Sequence, residues 1–200
     1  MQKQLAFFIS SLIFILSSTT ALADDYIGPG TAIIPEVQAP DPDKEVTSRF
    51  SFIYGRNKGV YGLDIGLVGN ITDKTFAGTA FALGFNVTRG KAAIVGFQFG
   101  GLANWNTGNV YVFGLQASLG VNLNKGDGYI IGAQLAPANI APKSNVIGVQ
   151  VGLYNKAESV YGFQIGLYNE ATSLHGVQLG LLNVHQKGAL KYFPIINIGF

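Results

Sequence analysis

The chain has no cysteine, so disulfides, thiolate nucleophiles and cysteine metal sites are all excluded. Charge is also scarce. Asp, Glu, Lys and Arg together make up 12% of the residues, about half the share usual in a soluble domain. Histidine occurs twice, as His175 and His185. Neither has a serine or aspartate at a spacing that would build a nucleophile, a base and an orienting group, so both read as plain polar residues and no catalysis is expected. No cluster of His and carboxylates has metal-ligand spacing; no metal, cofactor or nucleic-acid partner is expected. Beyond the first residues no stretch approaches the roughly 20 apolar residues of a transmembrane helix.

What the chain does have starts with its opening, MQKQLAFFISSLIFILSSTTALA. Lys3, a mainly apolar run from Leu5 to Leu16 and Ala-Leu-Ala ending at Ala23 have the layout of a secretory signal peptide cleaved after Ala23. Asp24 to Val46 is different in kind. It carries Asp24, Asp25, Glu36, Asp41, Asp43 and Glu45 against Lys44, with Pro29, Pro35, Pro40 and Pro42. It reads as an extended, irregular acidic arm. The rest, 47–200, is unusually rich in glycine, which contributes 27 of the 200 residues.

This third region is repetitive. Gly-apolar-Gln-apolar-Gly-Leu-x-Asn starts at Gly148, Gly162 and Gly176, and looser copies start at Gly62, Gly96, Gly114 and Gly132. No clear unit lies between Gly66 and Gly96. Residues alternate with period two, as in a β-strand. Ile147, Val149, Val151 and Leu153 fall on one face; Gly148, Gln150, Gly152 and Tyr154 fall on the other. Ten candidate strands run from Thr47–Gly55 to Leu190–Phe200, separated by Gly-, Asn- and Asp-rich stretches that read as hairpin turns. A β-solenoid is the rival. Fourteen residues with about four in a turn leave one strand per unit, whereas a closed coil needs two faces. The even but unequal spacings also suit a meander better than a stack.

The expected fold is therefore all-β: an antiparallel up-and-down meander closed into a transmembrane β-barrel of about ten strands. Its apolar face would meet lipid. Asp64, Gln98, Gln116, Gln134, Gln150, Gln164 and Gln178 would line the interior, with Arg49 as partner to Asp64. Alternate turns would face outward and carry a basic excess led by Arg56, Lys58, Arg89 and Lys91, a rim suited to lipopolysaccharide phosphates. The last strand places Tyr192, Ile196, Ile198 and Phe200 on one parity. It resembles the terminal signature by which the barrel-assembly machinery recognises outer-membrane proteins.

The repeats together with Phe193-Pro-Ile-Ile-Asn-Ile-Gly-Phe200 are similar, over Val60 to Phe200, to a family of bacterial surface-repeat proteins. The resemblance implies an exported outer-membrane protein and no particular activity. The expected function is a non-catalytic structural or surface role in the cell outer membrane, with outer-membrane lipid as partner. Two alternatives stand beside it: a narrow pore for small polar solutes, and a secreted soluble β-sheet module that binds a partner.

Overall fold

The computed structural model describes residues 26–200; the leader expected over 1–23 lies outside them. The strands are β1 (Tyr26–Ile27), β2 (Gly30–Ile34), β3 (Val37–Ala39), β4 (Glu45–Val46), β5 (Arg49–Ser51), β6 (Tyr54–Gly66), β7 (Gly69–Ala82), β8 (Phe85–Thr88) and β9 (Lys91–Gly100). They continue as β10 (Ala103–Asn106), β11 (Val110–Ser118), β12 (Val121–Asn124), β13 (Gly128–Leu135), β14 (Ala138–Val151), β15 (Tyr154–Ile165), β16 (Tyr168–His185) and β17 (Tyr192–Gly199).

Their pairing overturns the meander. The β2–β3 and β16–β17 ladders are antiparallel, and the ladders between successive coils are parallel and in register. Gln164 lies beside Gln150, and Gln178 beside Gln164. The chain winds into a parallel β-solenoid of about nine turns, not an antiparallel barrel, and so has no lumen. At the usual interstrand spacing of about 4.8 Å its axis is roughly 40 Å long.

The fourteen-residue unit holds two strands. In one coil Tyr154–Ala157 forms a narrow face and Ser159–Ile165 a wide face; the ladder to the next coil is interrupted at Glu158 between them. Gly166 and Leu167 make the second corner. The stretches read as hairpin turns are thus largely the narrow-face strands, and Asn155 and Asn169, read as turn residues, are fully buried. The face assignment itself agrees with the alternation: Ile147, Val151 and Leu153 are exposed, and Gln150 is buried.

Glycine is needed in the middle of the wide strand as well as at the corner, where a Cβ on Gly166 would collide with the carbonyl of Gly152. Gly148, Gly162 and Gly176 have φ of 138°, 137° and 156°. A Cβ on Gly162 would collide with the carbonyl of Gly148 in the preceding coil. The same column includes Gly78 (φ 147°). Its coil occupies the stretch between Gly66 and Gly96 where the sequence shows no clear unit, because Ala80 stands where the glutamine should be.

The core is thin. Val60, Phe76, Ile94, Val112, Ile130, Val146, Val160 and Leu174 fill its apolar side, with Ala141, Ala157 and Ala171 beside them. The acidic segment, from Tyr26 on, is not a loose arm. Its prolines fall outside strands, and β2 and β3 form a hairpin whose β2 pairs with β5 at the first wide rung. At the other end β17 runs back along β16 and closes the stack.

Replacing Gly162 by alanine is expected to lower the urea midpoint by an amount worth about 1–3 kcal/mol for the backbone conformation alone, and more for the lost coil contact. Gly28→Ala serves as the control, since a Cβ added at Gly28 would meet nothing within 4 Å. An unchanged midpoint for Gly162→Ala would contradict the stacked column.

Candidate functional surface

Stacking identical units puts identical side chains in rows. Asn70, Asn86, Asn104, Asn122, Asn139, Asn155, Asn169 and Asn183 form one such row at the Leu-bearing corner. Each Nδ2 donates to the Oδ1 of the next asparagine at 2.8–2.9 Å. Several also donate to a wide-strand carbonyl, as Asn155 does to Ile165, which braces the turn. Asn70 Oδ1 has no donor, because the preceding coil offers only Gly55 at that register.

The glutamines form a second row. From Gln116 through Gln178 each Nε2 donates to the Oε1 of the glutamine one coil earlier at 2.6–2.7 Å. Asn197 of β17 caps the row by donating to Gln178 Oε1. These side chains bond to each other along the axis and line no channel. The space bounded by Asp64, Asn70 and Gln98 leaves no room for a water. Asp64 is separated from the row by Ala80 and instead accepts two bonds from Arg49, at 2.9 and 2.7 Å. Arg49 is the partner expected for it.

The basic residues move most. In a meander successive turns would alternate between the two ends of the barrel; in a parallel stack they all fall on one corner. Arg56 and Arg89, expected on an outer rim, flank Asp73, whose turn a meander would put at the other end, at 2.8 and 2.7 Å. Lys91 Nζ lies 5.4 Å from the Tyr111 ring centroid, and Lys58 sits on the same corner. Lys156 bonds Glu170 one coil later. Burial alone would raise the Glu170 carboxyl, but bonds from Lys156, Gln186 and Tyr168 outweigh it and hold its pKa below the usual value. Between Phe50 and Gly180, every charged residue other than the buried Asp64 lies on this corner or on the narrow-face column beside it.

Elsewhere the exterior is apolar. The wide face shows Leu63, Val95, Phe113, Ile131, Ile147, Tyr161, Phe163 and Ile165 to solvent. The corner opposite the charges carries Leu67, Leu83, Leu102, Leu119, Leu153, Leu167 and Leu181, with Leu119 at 75% and Leu102 at 70% exposure. At the N-terminal end an open groove of about 730 Å³ is lined by Ile33, Val37, Phe50 and Phe52 with Glu36 and Gln38. Tyr192, Ile196, Ile198 and Phe200 are all exposed, and Ile196 and Ile198 extend the wide face by one rung. Without a barrel, their expected reading by a barrel-assembly machinery loses its structural ground.

The histidines are engaged in the fold. His175 stacks on Tyr161 with centroids 4.5 Å apart. His185 accepts the Leu174 N–H through Nε2 at 3.2 Å, and burial, with His175 nearby, lowers its pKa. Among the described residues no group of three His, Cys, Asp or Glu converges. No protein-family model, curated protein or solved structure matches the chain, so function is read from this surface alone. The asparagine row and the leucine corner went unrecognised in the sequence. Both stand in the repeat as Gly-Leu-x-Asn, and they become visible once the unit is folded as two strands.

The glutamine row makes a sharp energetic prediction. Gln150→Leu orphans Gln134 Oε1 and removes one of the two acceptors of Gln164 Nε2, which keeps Glu170 O, at roughly 1–3 kcal/mol for a buried group left unpaired. Adding Gln164→Leu leaves the same tally, one orphaned Oε1 on Gln134 and one acceptor lost, now from Gln178 Nε2, which keeps Val184 O. The double variant is therefore expected to be destabilised about as much as either single variant, measured by chemical denaturation. Additive losses would contradict a continuous row.

Proposed function

We propose that the protein is an exported, non-catalytic surface protein of the cell envelope: a rigid rod that works by contact through its apolar faces. The observation that carries this reading is the confinement of charge to one corner. Monomeric soluble proteins rarely leave contiguous apolar patches beyond a few hundred Å², whereas here apolar side chains follow one another over most coils. The leader-like opening supports export. The use of both histidines in stacking and hydrogen bonding, and the absence of a convergent acid–base cluster among the described residues, support a role without chemistry. A pore has no support, because the interior is filled.

The purified protein is expected to stay monodisperse only in detergent and to enhance the fluorescence of a hydrophobic dye when detergent is withdrawn. A variant combining Ile147→Lys and Phe163→Lys, two outward-facing wide-face positions, is expected to reduce both effects while keeping the circular dichroism and denaturation midpoint of the parent. A wild-type protein that remains monodisperse and dye-silent in buffer would overturn the reading.

A further inference from the structure

The partner of the apolar surface can be named. The geometry points to a lipid leaflet: the solenoid lies with its axis in the membrane plane, stands on its leucine corner, and holds its charged corner at the headgroups. This rests on the contact reading above and adds the identity and orientation of the contact.

The first ground is shape. The apolar surface is convex. It runs across the wide face, around the leucine corner and onto the narrow face, where Phe85, Val121 and Tyr154 continue it. A second copy or another rigid protein covers one plane of such a surface; fluid acyl chains cover all of it without shape complementarity. The cross-section is amphipathic in the manner of an interfacial helix, with apolar sides in the acyl region and a charged edge at the water.

The second ground is the backbone of the leucine corner. Hydrocarbon tolerates no unpaired N–H or C=O, and turns are normally where such groups are left over. Here they bond from coil to coil. The Leu102 N–H donates to Gly84 O, Leu119 to Gly101 O, Leu153 to Pro137 O and Leu167 to Leu153 O, at 2.6–3.1 Å. The corner that would enter deepest is one that satisfies its own backbone.

The third ground is the aromatic border. Trp105 flanks the charged corner on the narrow face with Lys125 Nζ 5.0 Å from its ring centroid, and Tyr111 flanks it on the wide face, stacked on Tyr129. Amphipathic rings with a cation beside them favour the interface between headgroups and acyl chains. The depth also fits. A wide strand of seven residues and its corner span about 20 Å, close to half of the roughly 40–45 Å thickness of a bilayer with its headgroups. The basic excess of the charged corner then meets lipid phosphates, and the lysine stems lie along the apolar faces.

Trp105 is the chain's single tryptophan, which makes the orientation measurable. In phosphatidylcholine–phosphatidylglycerol vesicles, its fluorescence is expected to be quenched more by lipids brominated near the carbonyl end of the acyl chain than near the methyl end. A Trp105→Phe protein carrying Leu153→Trp should show the opposite order. The protein should float with the vesicles in high salt, and Leu119→Glu with Leu153→Glu should weaken flotation at least about tenfold, since each forfeits a buried leucine. Both variants change outward side chains, so circular dichroism should match the parent. Equal quenching at both depths, or a Leu153→Trp signal quenched only near the headgroups, would overturn the orientation. A protein that needs detergent in buffer yet fails to float would overturn the lipid assignment and leave the contact reading intact, whereas one that is monodisperse without detergent or lipid would remove both.

Discussion

The fold depends on like side chains bonding to like across successive coils. A buried amide has both donor and acceptor capacity to satisfy, and an identical amide about 4.8 Å away in a parallel, in-register neighbour satisfies one of each. Asparagine and glutamine rows can do this; they are costly if the register slips, because Gln164 two residues out of register would face Gly176 or Gly180, and Asn155 would face Leu167 or Ala171. The two rows run with opposite polarity. The asparagines donate toward the C-terminal end and the glutamines toward the N-terminal end, so their dipoles oppose one another along the rod. Coils of different length are accommodated without disturbing either row. The longer coils around Val110–Asn124 add buried Val110 and a second asparagine pair, Asn106 and Asn124, while Gly114, Gln116 and Asn122 keep their places.

The ends of such a stack need special provision, because a row of amides and a parallel strand edge would otherwise continue indefinitely. Each end uses a different device. At the start, the glutamine row is interrupted by Ala80 and the coil before it carries a buried Arg49–Asp64 pair, whose geometry admits two bonds from one guanidinium. A buried pair of this kind adds specificity more than stability, and here it marks the register at which the acidic segment docks. At the finish, β17 reverses direction, and Asn197 supplies one shorter amide to end the glutamine row. Ile195, with φ of 67°, bends that strand where its ladder to β16 shifts register, and Pro194 beside it removes a donor from the edge. Both features discourage further strand addition.

Much of this was legible in the sequence, and the part that was not has a definite physical cause. Alternation assigns Gln150, Gln164 and Gln178 to the buried side and Ile147 and Val151 to the exposed side whether strands run parallel or antiparallel, since side-chain period is the same in both. Direction is carried by the connections. There Asn155, Lys156, Ala157 and Glu158 read equally well as a turn or as a four-residue strand whose Asn and Ala face inward. The signal that separates them is Gly162. A glycine in the middle of a hairpin strand only weakens it, so its recurrence at one place in every unit calls for a close approach between backbones that a meander does not supply. The alternating-turn picture of charge failed for the same reason. An antiparallel direction puts the turn of Asp73 on the far side of a membrane from those of Arg56 and Arg89, which Asp73 holds together.

The distribution of residue types across the rod finally bears on where it is stable. A water-soluble domain draws most of its stability from burying apolar side chains. In this chain, much of the interior is amide, and a large share of the Val, Ile, Leu and Phe points outward. Within lipid the hydrophobic term no longer favours compaction, and structures are held by van der Waals packing and hydrogen bonds. Two amide rows, a buried ion pair and a backbone bonded coil to coil even at its corners form an interior suited to that setting, because each gains from the low dielectric that weakens competition from water. The exterior follows from the same constraint. Once the interior of a thin coil is given to bonded amides, the apolar residues of a period-two strand have only the outside to occupy, an arrangement that the proposed lipid contact would favour.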